Sequence, residues 1–332
     1  MKKLLTMLAG LCMGTLCFAQ LMMEDNAVQI CAYWDKGDTM VYNYKQTNTT
    51  SQDGVTVSSV NTQETHVFEV TEATEHSYVL KTSFEDVLSS VVSPDVMTEV
   101  AERVSEHFWF ETLTDEFGSI QDIVNTDNAI EAARAMIPVI ANRVLDKYTD
   151  QELAEEGTSR DQVIQAFTNG LCTESFIDGL CVKYVVPLLV YHGALLNIGE
   201  EYTIKDDIDD ILGSGELELN YKFWIEPEEC TEDFVIIRSY VEADKEDLTP
   251  ILKERLIALQ EDLTEDDLDE MVAQVDAKLE EYSNIVIHLG SGWPVRWWWN
   301  RETTLVDEDG TITVLSEEKE LIINEEDPRN NG

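Results

Sequence analysis

Basic residues are scarce in this 332-residue chain: 22 lysines and arginines stand against 67 aspartates and glutamates, for a formal net charge of −45. Polyanions are bound by a surplus of Lys and Arg that displaces condensed counterions, so the deficit excludes nucleic acid as a partner. Proline is sparse too, at 7 residues, and no Pro/Ser-rich or low-complexity stretch divides the chain. The expectation is a single sheet-plus-helix domain over residues 20–332. Long apolar runs are missing beyond the first twenty residues. The strongest, residues 182–198, is broken by Lys183, Pro187 and His192 and reads as a buried segment without a transmembrane span. Catalytic motifs are missing as well: there is no Gly-x-Ser-x-Gly elbow and no His-Glu-x-x-His helix, and Gly290-Ser291-Gly292 lacks the flanks of a nucleophile elbow. The chain therefore reads as non-enzymatic, with no cofactor.

What is present begins at the N-terminus. Met1-Lys2-Lys3, an apolar run over residues 4–18 and then Ala19-Gln20 follow the basic, hydrophobic and small-residue order of a secretory signal. Cleavage is expected before Gln20, which makes the protein periplasmic or secreted. Cys12 follows Leu11 and Cys17 follows Leu16, so neither cysteine has the small neighbour of a lipid-anchoring signal. Removing residues 1–19 strips two lysines and no acid, leaving a more acidic chain with four of its six cysteines: Cys31, Cys172, Cys181 and Cys230. In an oxidising compartment these allow three pairings. Cys172 with Cys181 is favoured because Gly179 can turn the chain between them, which leaves Cys31 with Cys230. A zinc site lacks both Cys-x-x-Cys spacing and nearby histidines.

From Thr39 the chain alternates as a strand, with Met40, Tyr42 and Tyr44 on one side and Val41, Asn43 and Lys45 on the other. Asp53-Gly54 supplies a tight turn, and an antiparallel meander continues through Phe68, Val70, Leu80 and Thr82. A short helix is expected near residues 95–107, then two strands around Gly118. A helical block over residues 126–170 has Ile130, Ile137, Ile140, Val144 and Tyr148 as its apolar face, with a second helix capped at Ser159 and burying Val163, Ile164 and Phe167. Strands resume at Glu201, followed by a helical pair over residues 249–283. Pro250 opens its first helix, and Thr264 caps its second, which carries Leu268, Met271, Val272, Val275, Leu279 and Tyr282. Three final strands lie near 285–287, 295–306 and 311–323. The class is α+β, a long curved antiparallel β-sheet, half-barrel-like, with helical insertions packed against it. Gly37-Asp38 and Gly199-Glu200 each introduce strands and helices, so residues 33–198 and 199–325 read as two similar halves.

Lys36-Gly37-Asp38-Thr39, the hairpin Asp115-Glu116-Phe117-Gly118-Ser119-Ile120, Asn197-Ile198-Gly199-Glu200-Glu201-Tyr202 and Gly292-Trp293-Pro294 together resemble a group of poorly characterised secreted or periplasmic Bacteroidetes proteins. The resemblance implies a curved antiparallel sheet on helices, similar in outline to periplasmic lipoprotein carriers, and it brings no active site. Asp38-Thr39-Met40 also resembles the acidic-Thr-apolar acceptor of Bacteroidetes O-glycosylation.

The candidate binding residues are Trp297, Trp299 and Arg296, from the segment Trp293-Pro294-Val295-Arg296-Trp297-Trp298-Trp299. In a strand Trp297 and Trp299 share one face, while Trp298 and Arg296 share the other. Exposed indoles stack on sugar rings or line an apolar cavity, and arginine pairs with an anionic head group. The competing reading is that the tryptophans fill the core and the arginines pair with carboxylates. Asp206-Asp207-Ile208-Asp209-Asp210 and Asp307-Glu308-Asp309-Gly310 offer hard oxygen atoms for calcium but lack a full twelve-residue loop. His66 and His76 are expected to face each other across a surface hairpin. The leading expectation is a non-catalytic binding protein for an apolar or amphiphilic ligand held between the sheet and the helices. Its rival is a cell-surface interaction module recognising a basic protein through acidic helices.

Overall fold

The computed structural model describes residues 26–85, 108–209, 216–259, 264–307 and 309–331. The expected signal sequence and the helix near 95–107 lie outside the described residues, as do the side chains of the acidic run 206–210. The strands are β1 (Ala27–Gln29), β2 (Thr39–Gln52), β3 (Val55–Ala73), β4 (Ser77–Glu85), β5 (Trp109–Asp115), β6 (Ile120–Ile123), β7 (Leu195–Asn197), β8 (Glu201–Asp209), β9 (Glu216–Ile225), β10 (Phe234–Ala243), β11 (Asp276–His288), β12 (Pro294–Val306) and β13 (Ile312–Ile323). The helices are α1 (Thr126–Leu145), α2 (Asp150–Glu155), α3 (Arg160–Leu171), α4 (Glu174–Tyr184), α5 (Val186–Leu189), α6 (Lys245–Leu259) and α7 (Glu265–Ala273). The expected α+β class holds: eleven strands form one antiparallel sheet in the order β6-β5-β4-β3-β2-β13-β12-β11-β10-β9-β8, and β1 pairs with β7 separately. The sheet is open, since β6 and β8 end the order without pairing to each other.

The chain divides into two compact units. The first holds residues 26–30, 46–61 and 193–320 of the described chain, and the second holds 31–45, 62–192 and 321–331.

In the second unit β2 buries Tyr42 and Tyr44 as expected, but Val41, expected on the opposite side, is fully buried too, so both sides of the strand are covered at this point. Gly118 turns β5 into β6 at φ +92°, and a Cβ there would stand 2.8 Å from the His192 ring and 2.9 Å from Ala32, so only glycine fits. Of the segment expected to be buried, residues 184–192 are buried around Val185, Val186, Leu188 and Leu189, with Pro187 half-buried, whereas Leu195 and Asn197 beyond them are exposed. Other expectations fail. The buried face of α1 is Ala129, Ala133, Ala141 and Leu145, whereas Tyr148 is exposed. Small residues let the helix sit close, which leaves the isoleucines on its flanks. Ser159 caps α3 by accepting a hydrogen bond from the Gln162 amide at 3.3 Å, but Phe167 is exposed. His66 does not sit on a surface hairpin opposite His76. It is fully buried opposite Phe84, and His76 is exposed in the β3–β4 turn.

None of the four cysteines among the described residues is in a disulfide, so neither expected pair forms. The reason for one pair is local. Thr173 caps a helix where a turn at Gly179 was expected, and its side chain accepts from the Phe176 amide. Cys181 is thereby carried about 12 Å up the axis at 1.5 Å per residue, beyond the roughly 4.4–6.8 Å Cα separation that a disulfide needs. Its thiol lies instead 3.9 Å from the Thr112 hydroxyl, and burial pushes its pKa up to about 11.

In the first unit, Asp53 (φ 49°) and Gly54 (φ 77°) form the expected tight turn. Asp244 starts α6, its carboxylate accepting from the Glu246 amide at 2.8 Å, so Pro250 lies inside the helix and not at its opening. The second helix of the pair is shorter than expected: α7 ends at Ala273, and Leu279 and Tyr282 belong to β11. Leu248 of α6 joins Leu219, Val241, Ala243, Ala277 and Leu279 in a core, with Tyr221, Leu252 and Leu305 packed against it. One face of this part of the sheet is therefore covered by α6.

Candidate functional site

The expected parity of the tryptophan strand is correct. β12 places Trp297 opposite Ile285 and Trp299 opposite Ser283 on the helix-covered face, while Trp298 stands opposite Asn284 on the other. Trp297 is 7% exposed and Trp299 8%, so neither is an open stacking surface. They belong to the covered face of the sheet, which is the core-filling alternative.

That covered face carries an unusual polar belt. Ser239 and Ser283 meet hydroxyl to hydroxyl at 2.6 Å, and next to them Arg301 donates to Glu281 at 2.7 and 3.0 Å. Trp299 lies between two cations, the Arg301 guanidinium 5.0 Å and the Lys319 ammonium 4.3 Å from its ring centre. Lys319 pairs with Glu317 at 3.1 Å, and Gln46 donates to Glu317 at 2.8 Å. The belt's charges are answered within it, as buried charge requires.

The opposite face of the first unit is half-open and presents a different chemistry. Antiparallel register puts directly opposed residues on one side. Trp224 of β9 stands opposite Arg238 of β10, Arg238 opposite Asn284 of β11, and Asn284 opposite Trp298 of β12. Two residues along, Lys222, Tyr240, Tyr282 and Asn300 form a parallel row. The Tyr240 and Tyr282 rings lie 4.7 Å apart, and Tyr282 is 44% exposed. Both indoles are oriented by their N–H groups: Trp224 donates to Glu226 at 3.2 Å and Trp298 to Glu318 at 2.8 Å. Arg296, the third candidate residue, belongs to this face, where its guanidinium pairs with Glu320 at 2.8 Å. The structure therefore separates Arg296 from Trp297 and Trp299.

Electrostatics tighten these rows. Tyr240 donates to Glu242 at 2.7 Å, with the Glu280 carboxylate 3.3 Å from the same hydroxyl. Its phenol is raised well above the ordinary range, first by desolvation and then by the Glu242 carboxylate. Lys278 bonds Glu280 at 2.9 Å and holds that carboxyl below its usual value. Arg238, raised by the Glu229 carboxylate, is fixed by an Nε bond of 3.0 Å.

Other polar groups resolve into structure. His288 and Ser291 are 2.9 Å apart, but the Ser291 hydroxyl also accepts the Trp293 amide at 3.2 Å and closes the β11–β12 loop. Asp307 and Asp309 both accept the Thr311 amide, at 2.9 and 3.0 Å, which caps the turn at Gly310. Among the described residues no cluster of three or more His, Cys, Asp or Glu is placed to hold a metal ion. A cleft of about 440 Å³ at the start of α1, lined by Asn125, Asp127 and Glu174, is polar and open. No helix among the described residues is long and apolar enough to cross a membrane.

No family model matches the chain, and no curated protein matches it. Among solved structures it is similar to one described as lipid–protein interactions in lipovitellin, at 8% identity and a TM-score of 0.39. That match covers 87% of this chain and 25% of the other, so the chain spans about a quarter of that protein's length.

Proposed function

We propose that the protein works outside the cytoplasm as a non-catalytic binding protein, and that it receives an amphiphilic ligand on the face of the first unit opposite α6, helix-free among the described residues. The observation that carries this reading is the pair of half-exposed indoles, Trp224 and Trp298, each oriented by a glutamate and separated by polar side chains and a tyrosine pair. Rings already held by an N–H hydrogen bond lose little freedom on binding, which lowers the ordering cost of association. Burying about 200 Å² of apolar surface against them contributes roughly 5 kcal/mol before those costs. The neighbouring Asn284, Asn300, Lys222 and Glu280 supply hydrogen bonds to a ligand's polar groups. The export reading of residues 1–19 supports the location. A titration with dodecylphosphocholine below its micellar threshold, followed by tryptophan emission, tests the proposal: saturable binding that weakens in Trp298→Ala supports it, and a linear, unsaturable response overturns it.

A further inference from the structure

Resting on that reading, we infer that the ligand of the helix-free face is a neutral glycan chain with a flat, extended backbone, lying across the strands from Trp224 to Trp298. The two indoles belong to one cross-strand row, three strands apart, which is about 14 Å at a strand spacing of ~4.8 Å. An extended chain perpendicular to the strands meets both. The groups between them are Arg238 and Asn284, followed in the parallel row by Tyr240, Tyr282 and Asn300. These are hydrogen-bonding and ring-bearing side chains, and the row on the other side of the indoles adds the aliphatic pair Ile236 and Val286 beside Arg296. That composition suits a ligand carrying hydroxyls along its edges and C–H groups on its faces. Charge selects further. Glu226, Glu280 and Glu318 border the rings on a chain of net charge −45, both arginines of the face and Lys278 pair with glutamates, and Lys222 is the remaining cation of these two rows. A sulfated or uronic chain is repelled, whereas neutral hydroxyls donate to these carboxylates.

The test is calorimetric titration of the full-length exported protein with cellohexaose and laminarihexaose, two neutral glucose hexamers of different linkage. The expected result is saturable binding of at least one of them, weakened about tenfold or more by Trp224→Ala and by Trp298→Ala. Trp298→Phe, which keeps a ring, should retain most of the affinity, and Trp297→Leu on the covered face should leave it unchanged. Near-ultraviolet circular dichroism checks that each variant is folded, and Tyr282→Ala replaces any that is not. If neither hexamer binds the wild type, or binding ignores both alanine variants, the glycan inference falls. Should dodecylphosphocholine still bind through Trp224 and Trp298 in that case, the broader amphiphile reading stands. If neither class of probe binds, both fall.

Discussion

Removing one partner of the Glu281–Arg301 pair should cost far more than removing both. Glu281 of β11 and Arg301 of β12 are directly opposed, bonded at 2.7 and 3.0 Å, with only 10% and 11% of their side chains exposed. On the β10 side Glu281 faces Val241, which offers no hydrogen bond from its side chain. Arg301→Met would leave a carboxylate in this setting without its guanidinium. Breaking a buried pair costs about 3–5 kcal/mol, and the tenth of each side chain still reaching water argues for the lower end, about 3 kcal/mol. Trp299 keeps Lys319 over its ring at 4.3 Å, so loss of the Arg301 contact adds little. The double change Glu281→Leu with Arg301→Met removes both charges and fills the space, and should return to within about 1 kcal/mol of wild type. Guanidinium unfolding of the full chain, followed by far-ultraviolet circular dichroism, measures the cycle. If Arg301→Met unfolds within about 1 kcal/mol of wild type, or the double variant is no better than the single, the belt is not a buried ion-pair system and the reasoning is wrong.

Three further outcomes are expected. His66 is fully buried with Nε2 3.1 Å from Glu64, stacked on Tyr44 and edge-on to Tyr184 and Phe84. Burial lowers its pKa, Lys183 assists and Glu64 opposes, so the native ring stays neutral where the unfolded ring, near 6.5, takes up a proton. Its stabilising effect is therefore complete above about pH 6.5 and falls by up to about 1.4 kcal/mol per pH unit below it, until the native ring also titrates; thermal unfolding of wild type and His66→Phe between pH 7.5 and 5.5 should diverge in slope, and parallel curves would contradict this. Gly118→Ala should destabilise by more than about 1 kcal/mol, since its backbone is left-handed and a Cβ meets His192 and Ala32; a neutral effect in urea unfolding would overturn that packing. Protein purified without reductant and then unfolded should give four reactive thiols per chain beyond residue 19, and recovery of a Cys172–Cys181 cross-link by peptide mapping would show that α4 is misplaced.

The parts of the fold that were legible in the sequence are those set by local rules. Strand alternation separated Trp297 and Trp299 from Trp298 and Arg296, and Asp53-Gly54, Gly118 and Ser159 marked their turns and cap from residue type alone. Parity does not say which face is covered, so it left open whether Trp297 and Trp299 meet a ligand or fill the core, and their burial puts both on the covered face. Residues 272–288 satisfy two periods at once: Val272, Val275, Leu279 and Tyr282 fit a helix, while Ala277, Leu279, Glu281, Ser283, Ile285 and Ile287 fit a strand, and from Asp276 onward pairing with β10 and β12 decides for the strand. The rows of the helix-free face were invisible for a different reason. Trp224, Tyr240, Tyr282 and Trp298 lie far apart in the chain, and only the register of four strands gathers them. Alternation within β9 and β11 does set Trp224 apart from Phe223 and Tyr282 apart from Ser283, so the local half of that signal was available. The buried alanines of α1 show a related limit, because hydrophobic periodicity favours bulky residues and overlooks the small ones that permit close packing.

The central claim is that ligand binds the helix-free face and that the covered tryptophans serve the core. Its most direct measurement is a side-by-side titration of the Trp224→Ala, Trp298→Ala double variant and the Trp297→Leu, Trp299→Leu double variant with whichever probe saturates the wild type, each paired with a melting curve. The account predicts that the first variant loses at least about tenfold in affinity while its melting temperature barely moves, and that the second melts lower yet binds like wild type at a temperature where it is folded. Loss of binding confined to the Trp297, Trp299 variant, with Trp224 and Trp298 dispensable, would contradict it.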